Sequence, residues 1–529
     1  MAKDIMYIND FSGGLNIADG KFQLLDNECL EADNIVFTRR GAFDTRQGYA
    51  QLSSNTIGTA SAIKSLYRYY YAGTRALQVA GVVESGLSSL YWYEQLTGAG
   101  QYIPSLTSFS SGAKIRFADF KSFLFAYDGV NTWKWWAYGE SFAYDIVFQT
   151  GSGYKTLKSD VRCMAICDER IFVVFESEPY TLWYSDFGGW NATPGHPGKN
   201  AGAAEGLIFP EDNYLNIPEQ SRDLGGIKAL YRNADTDDLT ICLENYSLEM
   251  LGVGQGDYQL RLIAGSGGCI SKDGIAKGDN QEFFVVGNDV LNYVKNGNWY
   301  QVSENISELV DSTYLQNCEA LYDTKQSLLY INGIDGLIVG NVLRGREGVS
   351  VVFSKSNIEI QTYTKNTATS DNNDVIFTKP NDTKLYQLGA GYTDDNGTAI
   401  SWKWRSKYYD WDQFAITKFL RHFYALAESA SDTPFTVTLH LVVADGRETT
   451  RGPITLTVPT SGNLWNASLW NGTVWSSGDV AYGSADCGND MRCLAVSVEL
   501  NGTVPVTVNR IGIEHELMPP IKDMTFGRS

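Results

Sequence analysis

Two kinds of apolar pattern divide the chain. Up to about residue 390, short unbroken runs of β-branched and aromatic residues are separated by polar turns. Beyond it, apolar and polar residues alternate one by one. The first kind is clearest at 170–184, where Arg-Ile-Phe-Val-Val-Phe and Tyr-Thr-Leu-Trp-Tyr flank the turn Glu176-Ser177-Glu178-Pro179. That pattern predicts a hairpin on a tight polar connection. The unit recurs with its first strand near Leu77, Phe123, Ile171, Leu239, Phe283, Leu328 and Val375, at intervals of 46, 48, 68, 44, 45 and 47 residues. A strand repeat in the mid-forties predicts a β-propeller, each blade one small antiparallel sheet. One hairpin cannot bury its apolar face alone, so neighbouring blades must stack. Outer strands are expected at 66–71, 115–120, 229–232 and 320–322. The long interval holds a Gly-, Pro- and Asn-rich insertion, roughly 186–216. It reads either as a partner-binding loop on a regular scaffold or as inert decoration.

After Leu388 come strands expected at 400–411, 418–428, 434–443, 454–458, 494–500 and 506–514, with Asp445-Gly446 as a hairpin turn. Alternation at this spacing predicts a β-sandwich of about 100 residues. Trp465, Trp470 and Trp475 in the intervening loop form either a sugar-stacking platform or a packed plug, packing being the commoner use of Trp. The predicted fold is all-β, a seven- or eight-bladed β-propeller with a C-terminal β-sandwich. Its parts are an N-terminal arm with propeller-closing strands (1–60), the propeller (61–399), the sandwich (400–517) and a C-terminal arm (518–529).

The lead-in does not fit the hairpin unit. A Gly-rich turn at 11–16 is followed by a short helical turn expected at 26–32, capped by Asp26. A strand at 34–37, a turn at 39–41 and Arg46-Gln47-Gly48-Tyr49 complete it. Gly13-Gly14-Leu15-Asn16, Asn27-Glu28, Asn34-Ile35-Val36-Phe37, Arg40-Gly41 and Arg46-Gln47-Gly48-Tyr49 resemble the opening of tail and head–tail connector proteins of short-tailed bacteriophages. These β-propeller proteins are called tail hub, tail nozzle, tubular tail or packaged-DNA stabilisation proteins. Asp128-Gly129-Val130-Asn131-Thr132-Trp133-Lys134-Trp135 and Leu182-Trp183-Tyr184-Ser185-Asp186 are similar to the same group. Gln47 stands where that group commonly has proline. The resemblance implies a structural virion protein with no catalytic residues. Gly13, Gly14, Leu15, Asn16, Asn34, Arg40, Gly41, Arg46 and Gly48 would be its structural and assembly positions.

Composition narrows the chemistry. A formal net charge of −19 argues against a DNA-gripping surface, since phosphate neutralisation needs Lys and Arg. An acidic wall can still let DNA slide, with Arg39-Arg40 and the basic stretch 403–407 serving for docking. The eight cysteines are scattered, which favours buried free thiols over a disulfide framework. Cys487 and Cys493 are close enough in sequence to bridge, and a reducing cytoplasm would prevent it. The opening Met-Ala-Lys-Asp-Ile has no apolar core of signal-peptide length, and no run approaches 18 apolar residues. A soluble protein made in a bacterial cytoplasm is expected, without membrane insertion.

Cys163-x-x-x-Cys167 lacks a second ligand pair, so zinc is not expected. Ser185-Asp186-Phe187-Gly188-Gly189-Trp190 has sialidase-like letters at the wrong spacing. His422, His440 and His515 alternate within predicted strands, and His196 lies in the insertion, all away from any G-x-S-x-G turn. Gly252-Val253-Gly254-Gln255-Gly256 is no P-loop, and the acidic turns 235–238 and 394–397 lack EF-hand spacing. The expectation is no enzyme and no cofactor. The chain would instead be a virion tail component, a ring of six copies by the resemblance. Such a ring would contact adjacent tail and connector rings and mount fibres or spikes. Genomic DNA would pass through its lumen without sequence-specific contact. The alternative is a carbohydrate-binding or glycan-cleaving propeller.

Overall fold

The structure is a computed structural model. It describes residues 3–38, 41–52, 60–71, 75–93, 101–103, 109, 112–120, 123–138, 140, 143–146, 153–155, 158–187, 207–219, 223, 225–232, 238–252, 257–278, 282–310, 312–315, 317–333, 336–344, 349–365, 375–389, 391–428, 433–458, 481–487 and 491–518. Arg39-Arg40, His196 and most of the 186–216 insertion lie outside the described residues, as do the Trp465–Trp475 loop and nearly all of the C-terminal arm.

The regular structure of the described residues is almost entirely strand, and no described helix is long and apolar enough to cross a membrane. Each expected repeat anchor falls in the second strand of a small antiparallel sheet. Four such strands form each of five separate sheets. The first is Ala62–Tyr71, Arg75–Glu84, Leu87–Tyr93 and Gln101–Ile103. The sixth group is Glu319–Asp323, Leu328–Asn332, Leu337–Arg344 and Val349–Ser356. In the seventh, Thr362–Lys365, Val375–Thr378 and Tyr386–Leu388 are completed by Tyr49–Gln51, with Tyr386 opposite Gln51 and Leu388 opposite Tyr49. Second strands such as Arg170–Phe175 and Glu282–Val286 are buried at every position. A sheet covered on both faces needs an apolar residue on each, hence the unbroken runs.

The sheets stack as a closed wheel, the architecture of a β-propeller. Tyr69, Leu90 and Trp136 join the first to the second, and Phe125, Trp135, Ile171 and Trp183 the second to the third. Phe172, Leu182, Ile241 and Leu248 join the third to the fourth. The fourth and fifth meet at Tyr231 and Phe283, stacked at 4.1 Å. Phe284 and Tyr322 join the fifth to the sixth, and Tyr330 and Phe377 the sixth to the seventh. Ile376 and Leu385 of the seventh close onto Ile63, Ala80 and Val82 of the first. Each large apolar side chain among these is worth about 1.5–3 kcal/mol when buried, so the closing contact helps hold the ring shut.

The strands expected as outer are in fact innermost. Ala62–Tyr71, Arg116–Phe120, Ile227–Arg232 and Glu319–Asp323 pack against the first strands of neighbouring sheets and line the axial cavity. Their mixed polarity resembles an outer edge in sequence because the axis, like the rim, is a polar surface.

The lead-in is woven through both halves of the molecule. Lys3–Ile8 pairs with Thr507–Leu517, and Glu28–Asp33 lies between Val349–Ser356 of the sixth sheet and Trp402–Ser406. The sixth sheet therefore continues without a break into the C-terminal strands Ala495–Gly502, Thr433–Val442 and Glu448–Val458. A second C-terminal sheet contains Ile35–Phe37, Phe43–Thr45, Thr507–Leu517, Lys418–Glu428 and Ala481–Asp486. Both sheets and sheets five and six share one apolar cluster, in which Phe11 packs edge-on at 5.1 Å from both Phe43 and Trp404. The helical turn expected at 26–32 is replaced by the strand Glu28–Asp33, because hydrogen-bonding partners on both edges override local propensity. The strand expected at 400–411 ends at Ser406, and the chain turns through positive φ at Trp411 and Asp412.

Candidate assembly site at the joint

The residues carrying the resemblance converge where the C-terminal strands meet the propeller, Arg40 excepted, which lies outside the described residues. Gly14-Leu15 pairs in parallel with Glu28-Cys29, and Leu15 is buried. Gly14 has φ +68°, and a Cβ there would lie 2.2 Å from Val352 Cγ1. Gly13 leaves a similar space beside Glu28 and the Asn27 backbone. Asn16 folds its own loop: its Oδ1 accepts from the Ala18 and Asp19 N–H groups, and its Nδ2 donates to Asp19. Gly41, at φ +78°, accepts from Phe11 N–H through its carbonyl.

Asn34 and Arg46 are the centre of this site. Asn34 sits at φ 56°, a left-handed conformation that Asn tolerates better than most residues. Its N–H donates to Lys355 O and its Nδ2 to Ser401 O, at 2.7 and 2.6 Å. Its Oδ1 accepts from Asn357 N–H and Arg46 Nε, at 3.0 and 2.8 Å. Arg46 is buried and forks onto Asp395 at 2.8 and 2.6 Å, while also donating to Asn357 Oδ1 and Gln47 O. A guanidinium has five N–H donors, and these bonds employ all of them. Gly48 follows, where a Cβ would lie 1.9 Å from Asp394 O. The motif thus ties the lead-in to Asn357, just before the seventh sheet, and to Asp395, in a short strand added to that sheet beside Tyr49.

The other two matching stretches close turns within the wheel. Asp128 accepts from Val130 N–H, Asn131 N–H and Asn131 Nδ2, placing Trp133 and Trp135 in the core. Ser185 Oγ accepts from Ile171 N–H, and Arg170 donates to Ser185 O.

A second polar cluster lies on the axis. From the second sheet, Lys114 reaches Asp273 and Glu319 at 3.1 Å each, and Arg116 forks onto Asp273 at 2.9 and 3.2 Å. Thr362 of the seventh sheet donates to Glu319 at 3.0 Å. The cluster therefore spans the opening from the second sheet to the fifth, sixth and seventh. Burial disfavours both charged forms, but Lys114 and Arg116 together outweigh it at Asp273 and hold that carboxyl well below its usual range. At Glu319 burial wins and the pKa rises. Burial likewise raises Asp119, which accepts from Tyr67, and lowers Lys277.

The basic stretch expected to dock a partner is consumed internally. Lys403 pairs with Glu31 and Glu499, Arg405 with Glu31, and Lys407 with Asp26. All eight cysteines are buried free thiols, Cys487 and Cys493 included. Burial pushes the thiols of Cys163, Cys242 and Cys493 up to about 12. His422 and His440 bond Glu514 and Glu499 at 3.0 and 2.9 Å, and His515 lies against Trp411. Among the described residues, no group of three or more His, Cys, Asp and Glu side chains is placed to hold a metal ion.

The resemblance singled out Asn34 and Arg46 but not their partners Asn357, Asp395 and Ser401, which come from segments distant in sequence. It also missed the axial charges. The available signal was a charged residue at or just before the innermost strand of successive repeats, as at Lys114, Asp273 and Glu319.

No protein family profile and no curated protein matches the chain. Among solved structures it is similar to BBS1N in its complex with ARL6DN, at 10% identity and TM-score 0.38, covering 66% of this chain and 99% of that one. It is also similar to YCF48 bound to D1 peptide, at 10% identity and TM-score 0.37, covering 65% and 96%. The WD40 domain of Toxoplasma gondii coronin aligns at 11% identity and TM-score 0.35, covering 63% and 88%.

Proposed function

We propose that this chain is a structural tail protein of a short-tailed bacteriophage, a subunit of a ring in the tail tube, hub or nozzle. In this reading the seven stacked sheets are the blades of a seven-bladed propeller, and the two C-terminal sheets form a β-sandwich fused to it. The observation that carries the proposal is the convergence of the resembling opening residues on one joint, centred on Arg46 and Asn34. A part that transmits force between a wheel and an attached sandwich needs that joint to be rigid, and a sheet continuous across it provides this. Copies assembled as a ring, six by the resemblance, would contact neighbouring connector and tail rings and carry fibres or spikes. Their negative charge would keep DNA phosphates mobile, screened beyond about 8–10 Å in salt.

Electron microscopy of intact particles tests the assignment. A ring of this subunit at the tail axis is the expected result; its absence from the tail, or a place among capsid proteins, rejects the reading.

A further inference from the structure

The axial opening encloses a cavity of about 630 Å³, within the ordinary range for small-ligand sites. Its charge is opposite to that of the chain. Among the described residues, Arg68, Lys114, Arg116, Lys272 and Lys277 line it against Asp273 and Glu319. The charged groups facing these from neighbouring strands are Arg162 and Arg232 on one side and Asp119 and Glu176 on the other. The balance stays positive in a protein of net charge −19.

Lys114 and Arg116 are committed to Asp273 and Glu319, and Lys272 to Glu176. Lys277 differs. It feels the Asp119 carboxylate and the opposing Arg232 guanidinium, and its Nζ lies 5.8 Å from the Tyr231 ring centre, with no ion pair or hydrogen bond among the described residues. A second group also lacks a partner. Ser65 lines the same cavity, is 2% exposed, and its Oγ makes no hydrogen bond. A buried hydroxyl left without an acceptor is costly unless something else meets it, and the exposed Lys277 ammonium is free to meet an anion in the same cavity.

We propose that the axial cavity binds a small oxyanion of the phosphate class, with Lys277 as its main electrostatic contact and Arg232 and Arg68 adding positive potential. Such an anion carries about −1.5 to −2 charges near neutral pH and several acceptor oxygens. It accepts from ammonium and guanidinium groups through short charge-assisted bonds. Repulsion between Lys277 and Arg232 is relieved when it binds. This site is independent of the tail assignment, since it concerns the single subunit.

The test is thermal melting of the purified full chain in sodium phosphate against sodium chloride at equal ionic strength and pH, with ³¹P line broadening as a direct readout. Wild type is expected to melt higher in phosphate and to broaden the phosphate signal. Lys277→Gln should weaken phosphate binding at least about tenfold, and Lys277→Arg should retain it. Lys277 is exposed, so removing its amine should leave folding in chloride intact, which the chloride melt checks. Equal melting of wild type in both salts overturns the proposal. So does an equal phosphate shift in Lys277→Gln and wild type, which would place the anion elsewhere.

Discussion

Arg46 at the joint and Arg116 on the axis both fork onto an aspartate, at 2.6–2.8 Å and 2.9–3.2 Å. Their surroundings set them apart. The Arg46 side chain is 6% exposed and every donor has a protein acceptor, two of them asparagine side chains. The Arg116 side chain is 22% exposed, faces an open cavity, and shares Asp273 with Lys114. Burying a charge demands a full complement of partners, because desolvation otherwise exceeds the Coulomb gain. Where solvent has access, a looser and more mixed network suffices. The joint is therefore a rigid lock, while the axis is a cross-tie with spare capacity.

The sharpest way to break the comparison is Arg46→Met. It strands Asp395 and two asparagines in a buried site, and should cost about 3–5 kcal/mol, read as a lowered denaturant midpoint. Arg46→Lys should recover little of this, since an ammonium cannot reproduce the fork. A loss below about 1 kcal/mol would show that solvent reaches the joint.

Gly48→Ala attacks the same joint without touching charge. The added methyl meets the Asp394 backbone rather than a movable side chain, and an overpacked site costs about 1–3 kcal/mol. Calorimetric melting of this variant separates steric from electrostatic locking. At the axis, Asp273→Asn should cost less than Arg46→Met, about 1–2 kcal/mol after allowing for solvent screening. If its denaturant midpoint falls as far as that of Arg46→Met, the two networks are equivalent and the distinction fails.

The smallest effect concerns acid. Donation from Tyr424, then Lys3, with His422 adding to it, holds Glu514 down at about 2 against the weaker opposing effect of burial. Because this folded-state value is below the unfolded one of about 4.3, the stabilisation is complete above that pH. It is lost as pH falls toward 2. Glu514→Gln should flatten the acid limb of the stability curve between about pH 4 and 2, measured as denaturant midpoints across that range.

Much of the wheel was legible because burial on two faces writes itself into the chain as solid apolar runs. The expected hairpin at 170–184 is found as Arg170–Phe175 and Glu178–Tyr184. The strand expected at 418–428 has those very bounds, and its burial alternates as a one-sided sheet requires. What local pattern cannot convey is which edge faces inward, so a polar innermost strand reads in sequence like an outer one. Nor could it foresee that Glu28–Asp33 would be strand, since one of its hydrogen-bonding edges is supplied by Trp402–Ser406 and the other by Gly14-Leu15 together with Lys355 of the sixth sheet.

The sequence by itself determined the repeat and the all-β character, because periodicity and side-chain branching are local properties. Only the tertiary structure decided that the lead-in splices wheel to C-terminal sheets, that Asp395 answers Arg46, and that basic groups gather on the axis of an acidic chain. Those outcomes depend on which distant segments share a small volume, and the Coulomb and hydrogen-bond energies that settle them exist only once the segments have met.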